Sequence, residues 1–200
     1  MEISAEHVRA LRDKTGAGMM DCKKALLETS GNMDKAIEYL RKKGAATAEK
    51  RADRATNQGV IESYIHTGGR VGSMVELNCE TDFVAKTDGF KGLARDIAMQ
   101  IAAMNPTYLS RDVVPKEVIE REMEIYRTQA KNEKKPDAVV ERIAEGKLEK
   151  YFQEFCLLDQ TFIKDSGKTI KDLVLEMTAK TGEKITLRRY QRYHLGESSQ

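Results

Sequence analysis

The chain has 200 residues, enough for one medium domain or two small ones, with 40% hydrophobic and 33% charged residues and no tryptophan. No run of about 18 apolar residues occurs, so neither a transmembrane helix nor a membrane partner is expected. The formal charge of +2 is nearly balanced, which argues against a dedicated nucleic-acid binder with its basic excess. The first ten residues, MEISAEHVRA, carry early acids and no apolar stretch, so they read as neither a secretory signal nor a transit peptide, and a cytoplasmic location is expected. Cys22, Cys79 and Cys156 lie far apart without a CxxC, as do His7, His66 and His194. Reduced thiols are expected, and neither a metal site nor a cofactor.

Residues 1 to about 44 predict three short helices. Ser4 can cap the first, which carries Val8 and Leu11 on one face. Thr15-Gly16-Ala17-Gly18 breaks it. The second runs from about Met19 to Thr29 with Cys22, Ala25 and Leu26 for packing. Ser30-Gly31-Asn32 breaks again. The third presents Met33, Ala36, Ile37 and Leu40 and stops near Gly44. Met19 and Met20 are adjacent, so a helix cannot turn both inward, and an exposed methionine suits a partner surface. Residues 45 to 58 are Ala-rich and charged without an apolar stripe. They read as a helix extension or a linker, with a domain boundary near residue 54, which divides the chain into residues 1–54 and 55–200.

Val60 to His66 reads as a strand, Thr67-Gly68-Gly69 as a turn, and Val71 to Cys79 as the returning strand. Val71, Ser73, Val75, Leu77 and Cys79 form its every-second-residue inner row. Thr81 then offers an N-capping oxygen, and Asp82 places a negative charge at the positive end of a helix running to about Met104. Phe90, Leu93, Ile97 and Ile101 give that helix a buried face. Phe83 reads either as a core residue or as a probe at the tip of the strand-to-helix junction.

Pro115 opens a helix with Val118, Ile119, Met123, Tyr126 and Ala130 on its apolar side. After Lys134-Lys135-Pro136-Asp137 another helix carries Val140, Ile143, Ala144, Leu148, Tyr151, Phe152 and Phe155. Leu157 to Ser166 reads as irregular, with a brief extension open at Thr161-Phe162-Ile163, Thr169 to Lys180 as a short helix closed by Gly182, and Ile185 to Tyr193 as a last strand. The tail after Leu195 is polar and expected to fray. The fold class is α+β: an N-terminal three-helix module, then a core with a three-stranded antiparallel sheet and several segregated helices.

No GxGxxG, GxxxxGK[ST] or HExxH occurs, and the glycines of TGAG follow no strand and precede no GK[ST]. The chain therefore reads as a non-enzyme. Two alternatives remain from the residues alone. The three-helix unit could serve a pure adaptor, or the last strand could bind RNA through Arg188, Arg189 and Arg192 interleaved with Tyr190 and Tyr193.

Two stretches carry a resemblance. LRDKTGAGMMDCKKAL, residues 11–26, and ELNCETDFVAK, residues 76–86, resemble the two hallmark motifs of the translation elongation factor Ts family, in order and at suitable separation. The resemblance covers essentially the whole chain, in the family's short form with a single core unit. It implies a ubiquitin-associated-like N-terminal module and guanine nucleotide exchange on elongation factor Tu. It also implies that Thr81, Asp82, Phe83 and Val84 disturb the partner's phosphate and Mg²⁺ site, the magnesium belonging to the partner. Arg12, Met19 and Met20 would grip the same G domain, and the sheet domain would touch a second domain. The short form further implies a homodimer. No direct contact with nucleic acid is implied.

Overall fold

A computed structural model describes residues 3–197. Helix α1 (Ala5–Thr15) begins where the Ser4 hydroxyl accepts the His7 amide and ends at Gly16, whose φ of 66° closes the last turn. Helices α2 (Met19–Glu28) and α3 (Met33–Lys50) follow. Val8, Leu11, Cys22, Ala25, Leu26, Ala36 and Leu40 meet in a small core of their own.

Helix α3 does not stop at Gly44. It continues to Lys50, and Gly44 is buried on the side facing a later helix, α8 (Ile170–Thr181). A Cβ at Gly44 would sit 3.4 Å from both the Ala179 Cβ and the Leu175 carbonyl oxygen. The glycine thus serves close helix approach rather than termination, which resolves residues 45–50 as helix extension.

Strands β1 (Gln58–Ile65) and β2 (Val71–Cys79) form an antiparallel hairpin, and β5 (Thr186–His194) pairs antiparallel on the far side of β2, giving the order β1-β2-β5. Inner-face residues Val75, Leu77 and Cys79 meet the buried face of α5 (Asp88–Met104), where Phe90, Leu93, Ile97 and Ile101 recur at helical spacing. The Ser73 hydroxyl, buried in the same layer, donates to the Ala98 carbonyl at 2.5 Å. Strict alternation in the last strand fails at one point. Register shifts between Glu76 and Leu77, which pair with Arg189 and Leu187, so Arg188 is the extra residue of a bulge. The bulge lets Leu187 and Tyr190 both face the core. Without it Arg189 would point inward.

The expected single helix from the TDF segment is two helices, α4 (Asp82–Ala85) and α5. The Thr87 hydroxyl donates to the Val84 carbonyl and accepts the Phe90 amide, so it ends one helix and caps the next. Helices α6 (Lys116–Asn132) and α7 (Asp137–Phe155) pair lengthwise, cross-linked by two bonds from the Arg127 guanidinium to Glu141. Val114, Phe152 and Cys156 anchor their base.

Residues 157–166 are not irregular throughout. A short hairpin, β3 (Thr161–Phe162) and β4 (Asp165–Thr169), leads into α8. Its partner is a buried side chain that sequence periodicity does not reveal: Gln100 of α5 donates to the Gln160 side chain and the Thr161 carbonyl and accepts the Ile163 amide. Phe162 packs into the main core. Beyond the last strand, the Leu195 amide bonds the Arg70 carbonyl and the Glu197 carboxylate accepts from Arg192, so these residues turn back on the hairpin rather than fray. The rest of the tail, residues 198–200, lies outside the described residues.

Candidate functional site

Strand β2 ends at buried Cys79, whose thiol donates to the Thr81 carbonyl and is pushed above its usual pKa by burial. Thr81 is extended, at φ −126° and ψ 156°, and α4 is a single turn beyond it. Ala85 is buried and Val84 packs against the main core, so one side of this turn is anchored. The other side carries Phe83, which is 80% exposed. The fold therefore does not use this ring as core, and the core reading of Phe83 is excluded.

Asp82 lies beside Phe83 and pairs with Lys86 one turn on, at 2.5 Å. Hydrogen bonding and charge from Lys86 hold its carboxyl below the usual carboxylate range. The acid is thus ionised and presented at the surface next to an apolar ring.

Thr81 does not use its hydroxyl to cap α4. The hydroxyl donates instead to Glu183 Oε1 at 2.6 Å, while Glu183 Oε2 accepts the Glu80 and Thr81 amides at 3.1 and 3.0 Å. Glu80 answers in the opposite direction: its Oε1 accepts the Lys184 amide and an Arg51 guanidinium N–H, both at 2.7 Å. The Lys184 ammonium reaches the Ala52 and Arg54 carbonyls. The base of the tip, the turn before β5 and the segment after α3 are therefore one hydrogen-bonded knot. The sequence carries no signal for the role of Glu183. The acid lies 102 residues from Thr81 and forms no short motif with it.

In the helical module, Arg12 is exposed on the last turn of α1 and Met19 and Met20 are both exposed at the start of α2. The turn Gly16–Gly18 brings the two helix ends together, so these three residues flank one corner of the module. No hydrogen bond or ion pair among the described residues joins that corner to residues 81–84.

The arginines of the last strand are engaged within the fold. Arg188 and Arg189 both pair with Glu76, and Arg192 bonds the Ala102 carbonyl and Glu197. The Tyr190 hydroxyl donates to the Pro106 carbonyl. Among the described residues no group of three or more His, Cys, Asp or Glu side chains converges as metal ligands would, and no helix is long and apolar enough to cross a membrane.

A family profile described as "Elongation factor TS" matches residues 8–197. Similar proteins include the one named "Elongation factor Ts" from Desulfitobacterium hafniense, 59% identical over 98% of this chain and 90% of its own length. The protein of that name from Moorella thermoacetica is 58% identical, over 98% of this chain and 96% of its own. That from Thermotoga petrophila is also 58% identical, over 98% of each, so the two have nearly the same length.

Proposed function

Because the chain belongs to the elongation factor Ts family, and so is a cytoplasmic exchange factor for elongation factor Tu rather than an enzyme, we propose that residues 81–84 are the part that expels GDP. The logic is linkage. A protein that binds the nucleotide-free partner more tightly than the GDP-bound one must weaken GDP by the same factor. Phe83 wedges into the partner's G domain beside the nucleotide site. Asp82, already ionised, competes there for groups that arrange the partner's Mg²⁺ and phosphates. Thr81 and Val84 hold the tip in place.

The observation that carries this reading is the exposed ring on an anchored single turn. Burying such a side chain is worth about 1.5–3 kcal/mol, and the folded chain leaves that gain for a partner. Arg12, Met19 and Met20 form the second grip, on the three-helix module of residues 1–54, while residues 55–200 carry the tip. The test loads elongation factor Tu with a fluorescent GDP analogue and follows its release against excess unlabelled GDP. The native chain accelerates release at substoichiometric amounts. Phe83→Ala loses at least about tenfold, equivalent to 1.4 kcal/mol or more of lost coupling. Equal activity of the variant rejects the reading.

The same reading includes a homodimer. Among the described residues no helix covers the outer face of the sheet, which exposes Ile61, Ile65, Met74 and Tyr193. The register sets Ile65, Gly72 and Tyr193 in one row and Ser63, Met74 and Gln191 in the next. A second copy laid on this face would bury four large apolar side chains on each side. Sedimentation should show a dimer that Met74→Lys dissociates. A monomer at high concentration would end the proposal.

A further inference from the structure

We infer that Glu183 is a positioning residue for nucleotide exchange: it sets the pitch of the tip through the Thr81 and Glu80 backbone. The inference rests on the reading of residues 81–84 given above. Helix α8 ends at Thr181, and Gly182 adopts φ 69°, a conformation that turns the chain at once. The Thr181 hydroxyl accepts the Glu183 amide and steadies that turn. The side chain then lies along the end of β2 and receives three donors, the Glu80 amide, the Thr81 amide and the Thr81 hydroxyl. All three belong to the two residues that lead into α4.

The choice made by Thr81 is the informative detail. A threonine before a helix ordinarily caps it with its own oxygen. Here no such capping bond forms, and the hydroxyl is turned to Glu183. Local sequence therefore does not determine how α4 leaves the strand. A single helical turn is too short to hold itself, since nucleating a turn is unfavourable without outside support. The support comes from Glu183 below and from Val84 and Ala85 on the core.

A wedge works only if its base is stiff. An error of about 1 Å in the placement of a working group can cost on the order of 100-fold in rate. The partner would still be gripped through the module and the sheet domain when the clamp is lost. The loss therefore falls on the release step and not on complex formation.

The experiment measures GDP release as a function of exchange-factor concentration, which separates the saturating rate from the half-saturating concentration. Glu183→Ala should lower the saturating rate by about tenfold or more while the half-saturating concentration moves by less than about threefold. Glu183→Gln should retain most activity. Its amide oxygen accepts the two backbone N–H groups, and its NH₂ donates to the Thr81 hydroxyl oxygen. Thr81→Val, which removes only the hydroxyl, should give an intermediate loss and serves if Glu183→Ala does not fold. Phe83→Ala runs alongside. If it loses activity while folded Glu183→Ala matches the native chain, the inference about Glu183 is overturned and the tip reading stands. If Phe83→Ala is fully active, the tip reading fails and takes this inference with it. Glu183→Gln as impaired as Glu183→Ala would also overturn it, because charge rather than hydrogen-bond geometry would then be at stake. Thr81→Val at native activity, with Glu183→Ala unfolded, would do the same.

Discussion

Phe83 and Phe90 are seven residues apart and have opposite fates. Phe90 is fully buried between α5 and the sheet, and Phe83 is 80% exposed. On one continuous helix, seven residues are two turns less about 20°, so both rings would lie on the same face. The buried face of α5 would then carry Phe83 inward. The break at Lys86 and Thr87 prevents this: it re-aims the chain between the two rings. The exposed aromatic is thus a product of helix punctuation and not of composition, and the same residue type is core on one side of the break and solvent-exposed on the other.

The strongest attempt to break the comparison is to truncate both rings. Phe90→Ala should cost about 3–5 kcal/mol of stability, the range for a large aromatic removed from a packed core. Phe83→Ala should shift stability by less than about 0.5 kcal/mol, as surface substitutions do. Denaturant titration measures both, and nucleotide release from elongation factor Tu should show the reverse order of loss at matched folded concentration. Similar unfolding midpoints for the two variants would mean that Phe83 is packed in solution.

A smaller effect comes from the break itself. Thr87→Ala removes both the bond to the Val84 carbonyl and the cap on the Phe90 amide. The expected cost is about 1 kcal/mol, seen as a lower denaturant midpoint with an unchanged slope. Exchange activity should fall too, because the turn that presents Phe83 loses its lower restraint. A Thr87→Ala variant with native stability would show that the break is held by Ala85 and Val84 alone.

Elements with a strong period were legible in the sequence. The inner row of β2 and the buried face of α5 follow from spacing alone, as does the small core of α1, α2 and α3. The failures share a cause, which is that a long-range contact decided a local choice. Gly44 looks like a stop signal, and its packing against Ala179 makes it an interior helix residue. Residues 157–166 look irregular apart from a brief extension at Thr161–Ile163, and the buried Gln100 amide bonds the Thr161 carbonyl and the Ile163 amide there. Thr81 looks like a cap until Glu183 takes its hydroxyl. At the site, a polar junction with an aromatic could be read from TDF. That the ring faces out could not, because it depends on whether the helix continues past Lys86. The bulge at Arg188 is likewise invisible to an alternation pattern and matters for the same reason, since it decides which side chains the core receives.

Acid offers the gentlest way to separate the two rings. The Lys184 amide, with help from the Arg51 and Arg54 guanidinium groups, holds the Glu80 carboxyl below its usual range against some desolvation. A carboxyl whose folded-state pKa is depressed adds stability that is present above its unfolded value, about 4.3, and is lost as pH falls through the folded value. Lowering the pH below about 4 should therefore loosen the knot that joins Glu80, Lys184 and Arg51 at the base of the tip. Other carboxylates, among them Glu76 and Glu141, are held low by arginines and titrate in the same direction. The Glu80 share is isolated by comparing the native chain with Glu80→Gln. Their melting temperatures should differ by about 2 °C or less at neutral pH, and the difference should shrink as the pH falls from about 4.3 through the depressed folded-state value. Hydrogen exchange should find the Lys184 amide, which Glu80 accepts, less protected at low pH while the amides around Ile97 in α5 stay protected. Equal loosening at both places would mean that the tip and the core open as one unit, and that the difference between Phe83 and Phe90 is one of exposure without any difference in local stability.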